Sequence, residues 1–245
     1  MKITIKSPRE IEIMREGGKI LNSVLESIAK EAQVGVSTME LDQKAEQLIL
    51  AAGAFPSFKG YEGFPAVLCT SLNEEVVHGI PSKRVLQSGD LLSLDCGVFY
   101  QGLHTDKALT LVVGESNPLK DRLMQVTRKS LELAASELKD GVKLGQVSHA
   151  IQRHVEQAGF GVVRDLVGHG IGKELHEDPP VPNFGGAGNG PILKAGMTIA
   201  IEPMVTVGNY NVIIDGWKIV TADNSLSAHF ENTFLITKDG CEVLT

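Results

Sequence analysis

Residues 89–98, GDLLSLDCGV, and residues 196–205, GMTIAIEPMV, carry the reading of this fold. Both open on glycine, continue as an apolar run, reach a carboxylate (Asp95 and Glu202) and close on valine. Working outward, Gly35-Val36 and Ala52-Gly53 map onto Gly141-Val142 and Ala158-Gly159 at a shift of 106 residues. Leu25-Glu26 maps onto Leu131-Glu132 at the same shift, and the two carboxylate runs follow at 107. The identities are few, but they keep one order in both halves. A period this long is not a solenoid repeat; it points to an internal duplication with a pseudo-two-fold. The reading is a single domain over 1–245, with halves at about 8–113 and 118–237.

Each half reads as helix, helix, then strands. Ile11, Met14, Ile20, Leu21, Leu25 and Ile28 recur at helical spacing. Ser37 or Thr38 caps a second helix carrying Leu41, Ala45, Leu48 and Ile49, and Gly53 stops it. Leu123, Val126, Leu131 and Ala134, then Val147, Ile151 and Val155, repeat the pattern. Strands are expected over 66–72, 91–98, 103–113, 197–205, 213–214 and 228–237. The Pro/Gly-rich stretch 179–191 reads as a loop. The fold class is α+β, with helices covering one face of a mostly antiparallel sheet.

Composition narrows the function classes. Apolar residues at 42% and charged ones at 22% suit a globular chain and exclude disorder. A net charge of −7 argues against a protein that reads nucleic acid. No stretch approaches the ~20 apolar residues of a membrane helix, and the opening MKITIK lacks the apolar run of a signal peptide. Cys69, Cys96 and Cys241 are odd in number and far apart, which excludes a disulfide framework and a C-x-x-C metal or redox site. Reduced thiols in the cytoplasm are expected.

Five residues stand out chemically. Asp95 ends one strand, Tyr100-Gln101-Gly102 reads as a turn, and Asp106 lies on the returning strand. A hairpin centred between Tyr100 and Gln101 sets the two aspartates directly opposite, with Cβ atoms about 5 Å apart. Carboxylates that close repel unless a proton or cation lies between them; two polar residues on a wet strand edge fit the pair equally well. His169 sits in GHGIG (168–172), where glycines admit a ligand close to the backbone. This is no phosphate loop, because Val167 takes the first glycine position and Glu174 replaces Ser/Thr. The GAGNG at 186–190 likewise departs from dinucleotide spacing. Glu202 follows an apolar run, where a buried carboxylate is costly unless paired or metal-bound. Glu231 opens the last strand. Four carboxylates with one imidazole suit hard or borderline divalent ions, and are too many for one catalytic zinc. They suit two ions that share carboxylates and acidify a water.

The strings NEEVVHGIP (73–81), LSLDCGV (92–98), HTD (104–106), GHGIGKELHEDP (168–179), IAIEPM (199–204), DGW (215–217) and SAHFENT (227–233) together resemble the type I methionine aminopeptidases. These have the pita-bread fold of the creatinase/aminopeptidase metallopeptidases, a curved antiparallel sheet covered by helices with a pseudo-two-fold repeat. The resemblance runs over nearly the whole chain. It implies Asp95, Asp106, His169, Glu202 and Glu231 as ligands of two divalent ions (Co, Mn, Fe or Zn), with Asp106 and Glu231 bridging. His78 matches the histidine near the scissile amide nitrogen, His176 the donor to the substrate carbonyl, and Glu202 the proton carrier. Tyr61, Phe64, Cys69 and Trp217 match the lining of the methionine pocket, and Asn73 and Ser227 a monovalent-cation position of some members.

Three departures are visible. Thr105 replaces the usual glycine of His-Gly-Asp, Lys107 a small polar residue, and Leu175 an aromatic. On a strand, Thr105 and Lys107 point away from the face of Asp106, whereas Leu175 joins the substrate pocket. The implied activity is removal of the initiator methionine from nascent polypeptides with a small second residue, by a cytoplasmic monomer and with a ribosome contact. The alternatives are a relative with another N-terminal preference, such as a prolidase or X-prolyl aminopeptidase, and a non-catalytic binding module on this scaffold. Prolidases usually carry an extra N-terminal domain, which the residues ahead of the first expected helix cannot hold.

Overall fold

The structure, a computed structural model, describes residues 3–245; the reading of the chain start at Met1 and Lys2 lies outside them. The first half contains α1 (Pro8–Glu31), α2 (Thr38–Ala51), β1 (Phe55–Pro56), β2 (Leu68–Leu72), β3 (Glu75–Val77), β4 (Leu91–Tyr100) and β5 (Leu103–Val112). The second contains α3 (Pro118–Ser136), α4 (Leu144–Gln157), β6 (Gly161–Val162), β7 (Val167–Gly170), β8 (Glu177–Pro182), β9 (Thr198–Ile201) and β10 (Met204–Thr206). It continues through β11 (Val212–Asp215), β12 (Lys218–Thr221), β13 (Ser227–His229), β14 (Glu231–Ile236) and β15 (Cys241–Val243).

Local chemistry sets the helix ends. Ser7 with Glu10, and Ser37 with Glu40, form reciprocal capping boxes that satisfy free N–H groups of the first turn. Ser37, not Thr38, is therefore the cap of α2. The repeated Ala-Gly pairs are the helix stops: Gly53 and Gly159 follow α2 and α4 at φ 73° and 83°.

A large sheet runs in the order β1-β4-β5-β14-β9-β7-β8, with β2 also on β4 and β15 also on β14. Its pairings are antiparallel. The two halves join where β5 meets β14, with Ala108 opposite Glu231. Helices α1 and α2 cover Leu68, Leu72, Leu92, Leu94, Cys96 and Val98. Helices α3 and α4 pack against Ile199, Ile201, Val205, Phe230 and Phe234. Alternation along β4 then turns Ser93, Asp95 and Gly97 to the other face.

Several details differ from the sequence reading, among them the break of the expected strand 228–237 at Phe230 into β13 and β14. The β4–β5 hairpin turns on Gln101-Gly102, both at positive φ, with Tyr100 opposite Leu103. That two-residue turn matches strand twist and moves the register by two: Asp95 faces Ala108, and Asp106 faces Gly97. An even shift keeps both aspartates on one face, as diagonal neighbours. The expected strand 197–205 breaks between β9 and β10 at Glu202-Pro203, where proline withholds a ladder donor. Residues 179–182, read as loop, belong to β8, which lies at the sheet edge where prolines leave no inner ladder bond unmade.

Helix α1 lies close over the sheet through two adjacent glycines. A Cβ on Gly18 would fall 1.9 Å from the carbonyl oxygen of Leu244, whereas one on Gly17 would make ordinary contacts of 3.4 Å and 3.5 Å with Tyr100 and Thr105. Gly18→Ala is thus expected to destabilise the fold by about 1–3 kcal/mol. Gly17→Ala should be neutral or stabilising by up to about 1 kcal/mol, through helix propensity. Urea midpoints at equal slope check the pair, and equal midpoints would contradict the packing.

Candidate metal centre and substrate pocket

Strands β2, β4, β5, β14 and β7 carry expected side chains to one face, with β9 lying between the last two. Across one row, Cys69 on β2 pairs Asp95 on β4, Asp95 pairs Ala108 on β5, and Ala108 pairs Glu231 on β14. In the adjoining row, Asp106 faces Gly97, and its backbone N–H and C=O both bond the Thr233 hydroxyl at 2.9 Å. Thr233 pairs Ala200 of β9, which pairs His169 of β7. Glu202 enters from the break after β9, with its backbone carbonyl accepting from the Asn183 amide at 3.0 Å.

Asp95, Asp106, His169 and Glu231 are buried, and Glu202 is nearly so. His169 Nε2 stands 4.0 Å from Asp106 Oδ2 and 3.8 Å from Glu202 Oε1. Two groups of donor atoms share Glu231: Asp106, His169 and Glu231, and then Glu202, His229 and Glu231. The His169 Nδ1 lies 2.9 Å from the Gly170 carbonyl. A carbonyl only accepts, so Nδ1 carries the proton and Nε2 turns its lone pair to the carboxylates.

Burial dominates the electrostatics. It pushes the Asp95 carboxyl up to about 7, partly opposed by hydrogen bonds from Asp106 and Cys69. Asp106, Glu202 and Glu231 rise well above the usual carboxylate range, first from burial and then from the neighbouring carboxylates. Burial also lowers His169 and His229 to about 3 and His104 to about 4. Neutral imidazoles facing crowded carboxylates have the donor chemistry of a divalent metal site. Buried Asp95 Oδ1 and Glu231 Oε1 have no hydrogen-bond partner, as expected of atoms reserved for a cation.

Beside the cluster a cavity of about 150 Å³ is lined by Tyr61, Phe64, Cys69, His78, Leu175, His176 and Trp217, with Phe58 and Glu62. That is below the roughly 300–1,000 Å³ of sites for drug-sized ligands, so it suits one side chain. Phe64 meets Trp217 edge-on at 5.3 Å between centroids, and Tyr61 meets His176 likewise at 5.1 Å. The Tyr61 hydroxyl lies 2.9 Å from His176 Nδ1. Burial raises Tyr61 and lowers His176, so the phenol keeps its proton and the imidazole is neutral near pH 7. Tyr61 then donates to Nδ1 and leaves His176 Nε2–H as a donor. His78 is held at φ 60°, a strained value. Gly79 follows so close to β2 that a Cβ there would sit 2.3 Å from the Thr70 carbonyl.

All the residues expected at the metal cluster and the pocket therefore come together. Thr105 and Lys107 lie on the opposite face: Lys107 Nζ bonds Asn22 of α1, and Thr105 faces Gly17. Asn73 and Ser227 meet directly, the Ser227 N–H donating to the Asn73 carbonyl at 2.8 Å, while their side chains bond Asp90 and Val205. Sequence reasoning passed over His229. Its signal was its place two residues before Glu231 in an alternating stretch.

Comparison with known proteins agrees with this geometry. Residues 12–238 match the metallopeptidase family M24. A methionine aminopeptidase of Clostridium acetobutylicum is 52% identical over 99% of this chain and 98% of its own length. The crystal structure of methionine aminopeptidase from Thermotoga maritima superposes with a TM-score of 0.98 at 46% identity, covering 100% of this chain and 99% of that one. Prolidase from Pyrococcus furiosus superposes with a TM-score of 0.79 at 25% identity, over 98% of this chain but 65% of its own. With its pita-bread architecture, its buried carboxylate cluster and matches spanning nearly its whole length, the chain belongs to metallopeptidase family M24.

Proposed function

We propose that this protein hydrolyses the first peptide bond of polypeptides and releases an N-terminal methionine where the second residue is small. The observation that carries the reading is a carboxylate–imidazole cluster at the wall of a cavity sized for one side chain. Such a cavity takes the first residue of a chain and leaves the rest outside. Phenyl, indole and thiol groups from Phe64, Trp217 and Cys69 suit a flexible thioether, and Leu175 adds an aliphatic wall.

Asp95, Asp106, His169, Glu202 and Glu231 would hold two divalent ions, of Co, Mn, Fe or Zn. Bound ions supply Lewis-acid polarisation of the scissile carbonyl and acidify the attacking water. The remaining work falls to side chains. Glu202, ionised where a bound cation offsets its burial, would take a proton from the attacking water and pass it to the leaving amine. His176 Nε2–H, set by Tyr61, donates to the carbonyl oxygen as negative charge develops there. His78 lies along the same wall, where its ring meets Trp217 at 6.3 Å and reaches the amide nitrogen side. The chain acts as one catalytic domain, 1–245. Its pocket is complete within one copy, which fits a monomer. Unpaired Cys69, Cys96 and Cys241 fit a reducing compartment such as the cytoplasm, where the substrates would be nascent chains beside the ribosome.

The direct test is peptide hydrolysis by the metal-reconstituted protein. Met-Ala-Ser should be cleaved well and Leu-Ala-Ser more slowly. Glu202→Gln should lose about 10²-fold or more in kcat while keeping its circular dichroism. A preference for a peptide with proline in second place would support the prolidase-like reading. Folded, metal-replete protein that releases nothing would support the binding-module reading.

Metal removal should couple to pH. Folded-state pKa values of the four carboxylates lie above their unfolded values near 4. The metal-free fold therefore binds more protons than the unfolded chain and loses stability as pH rises. His78, His104, His169, His176 and His229 act oppositely, but only below their unfolded value of about 6.5. Between pH 6.5 and 8 the carboxylate effect stands alone, and the Tm of chelator-treated protein should fall. The metal-loaded protein should fall less, so the gap between the two widens. A gap that stays constant would contradict the reading of the cluster.

A further inference from the structure

His229 is a second imidazole at the carboxylate cluster, and neither the motif reading nor the steps above use it. It ends β13 and is 1% exposed, with no hydrogen-bond partner for either ring nitrogen. Its Nε2 stands 3.7 Å from Glu202 Oε2 and 3.8 Å from Glu231 Oε2. Those distances are too long for hydrogen bonds. They suit donors that share an ion: two ligand atoms each about 2.1 Å from one ion lie about 3.0 to 4.2 Å apart as their angle opens. His169 gives an internal scale, because its Nε2 stands 4.0 Å and 3.8 Å from Asp106 and Glu202. Glu202 thus has one imidazole off each carboxylate oxygen.

The backbone beneath His229 is fixed by side chains. Its N–H donates to the Thr110 hydroxyl at 2.9 Å, and its carbonyl accepts from that hydroxyl at 2.7 Å. Ser93 completes the set at 2.8 Å from Thr110. A hydroxyl has one proton and two lone pairs, so Thr110 is saturated and the Ser93 O–H points at it. A ring on so constrained a stem is held where it stands without a bond of its own.

We propose that His229 Nε2 is a sixth protein ligand of this centre, binding the ion it shares with Glu202 and Glu231. The inference rests on the reading of the site as a metal centre and deepens it. Two imidazoles favour Zn, Co or Fe over Mn more strongly than one does, because nitrogen donors suit the borderline ions.

X-ray absorption of protein loaded with Co(II) or Zn(II) counts imidazoles per ion. Multiplied by the ions bound per chain, that count should give two imidazoles, and one in His229→Gln. Circular dichroism of the variant confirms that it folds, and the parent count stands by itself if it does not. His229→Gln should also lose about tenfold or more in affinity for Zn(II) while losing less for Mn(II). A parent count of one, or a count unchanged in the variant, overturns the proposal and leaves His229 as a positioning neighbour of Glu202. Folded protein that binds no divalent ion would sink the metal-centre reading along with it. Methionine release that persists beside a parent count of one would sink the sixth ligand alone.

Discussion

Burial of four neighbouring carboxylates, Asp95, Asp106, Glu202 and Glu231, is the constraint to which the structure answers. Each is shielded from water, and Asp106, Glu202 and Glu231 are made harder still to ionise by the carboxylates beside them. A buried, unpaired carboxylate costs several kcal/mol, and no Lys or Arg pairs with these four among the described residues. The chain answers with neutral imidazoles and with unpartnered oxygens that only a proton or a cation completes. A core built by helices on the far face offsets the cost of holding such a site together.

Duplication explains how the four groups meet. Each half contributes a carboxylate that follows an apolar run, Asp95 within β4 and Glu202 just past β9. The halves share one sheet through β5 and β14, which brings Asp106 and Glu231 between those two strands. Strand alternation does the sorting: Leu94 and Cys96 go under α1 and α2, while Asp95 goes to the site. The same rule turns Thr105 and Lys107 away from the cluster. They lie on the helix face of β5, where α1 receives them.

Around the cluster, tight backbone packing fixes what side chains alone would leave loose. Gly18 lets α1 touch the Leu244 carbonyl, and Gly79 lets the strained His78 segment lie on β2. Lys6 and Glu177 form an ion pair at 2.7 Å, largely buried. The Glu177 carboxylate also accepts from the Lys173 N–H at 2.8 Å, which braces the turn just ahead of His176. The imidazoles lining the cavity are thereby set by backbone and by hydroxyl partners rather than by flexible contacts.

Local chemistry in the sequence determined the helices, their caps, the two-half organisation and the face of each strand, because helical spacing, capping boxes and alternation act over a few residues. It also marked the expected members of the cluster, since carboxylates after apolar runs and a glycine-flanked histidine are locally anomalous, whereas the pocket residues were legible only through the resemblance of the whole set of strings. Long-range geometry decided the rest. The hairpin register depended on φ values at Gln101 and Gly102 that residue types alone left two positions uncertain. Edge placement turned Pro179, Pro180 and Pro182 from loop into strand. His229 carries only a faint local mark, its place two residues before Glu231. Only the folding of β13 against Thr110 of β5 sets its imidazole within reach of Glu202 and Glu231, which come from separate strands.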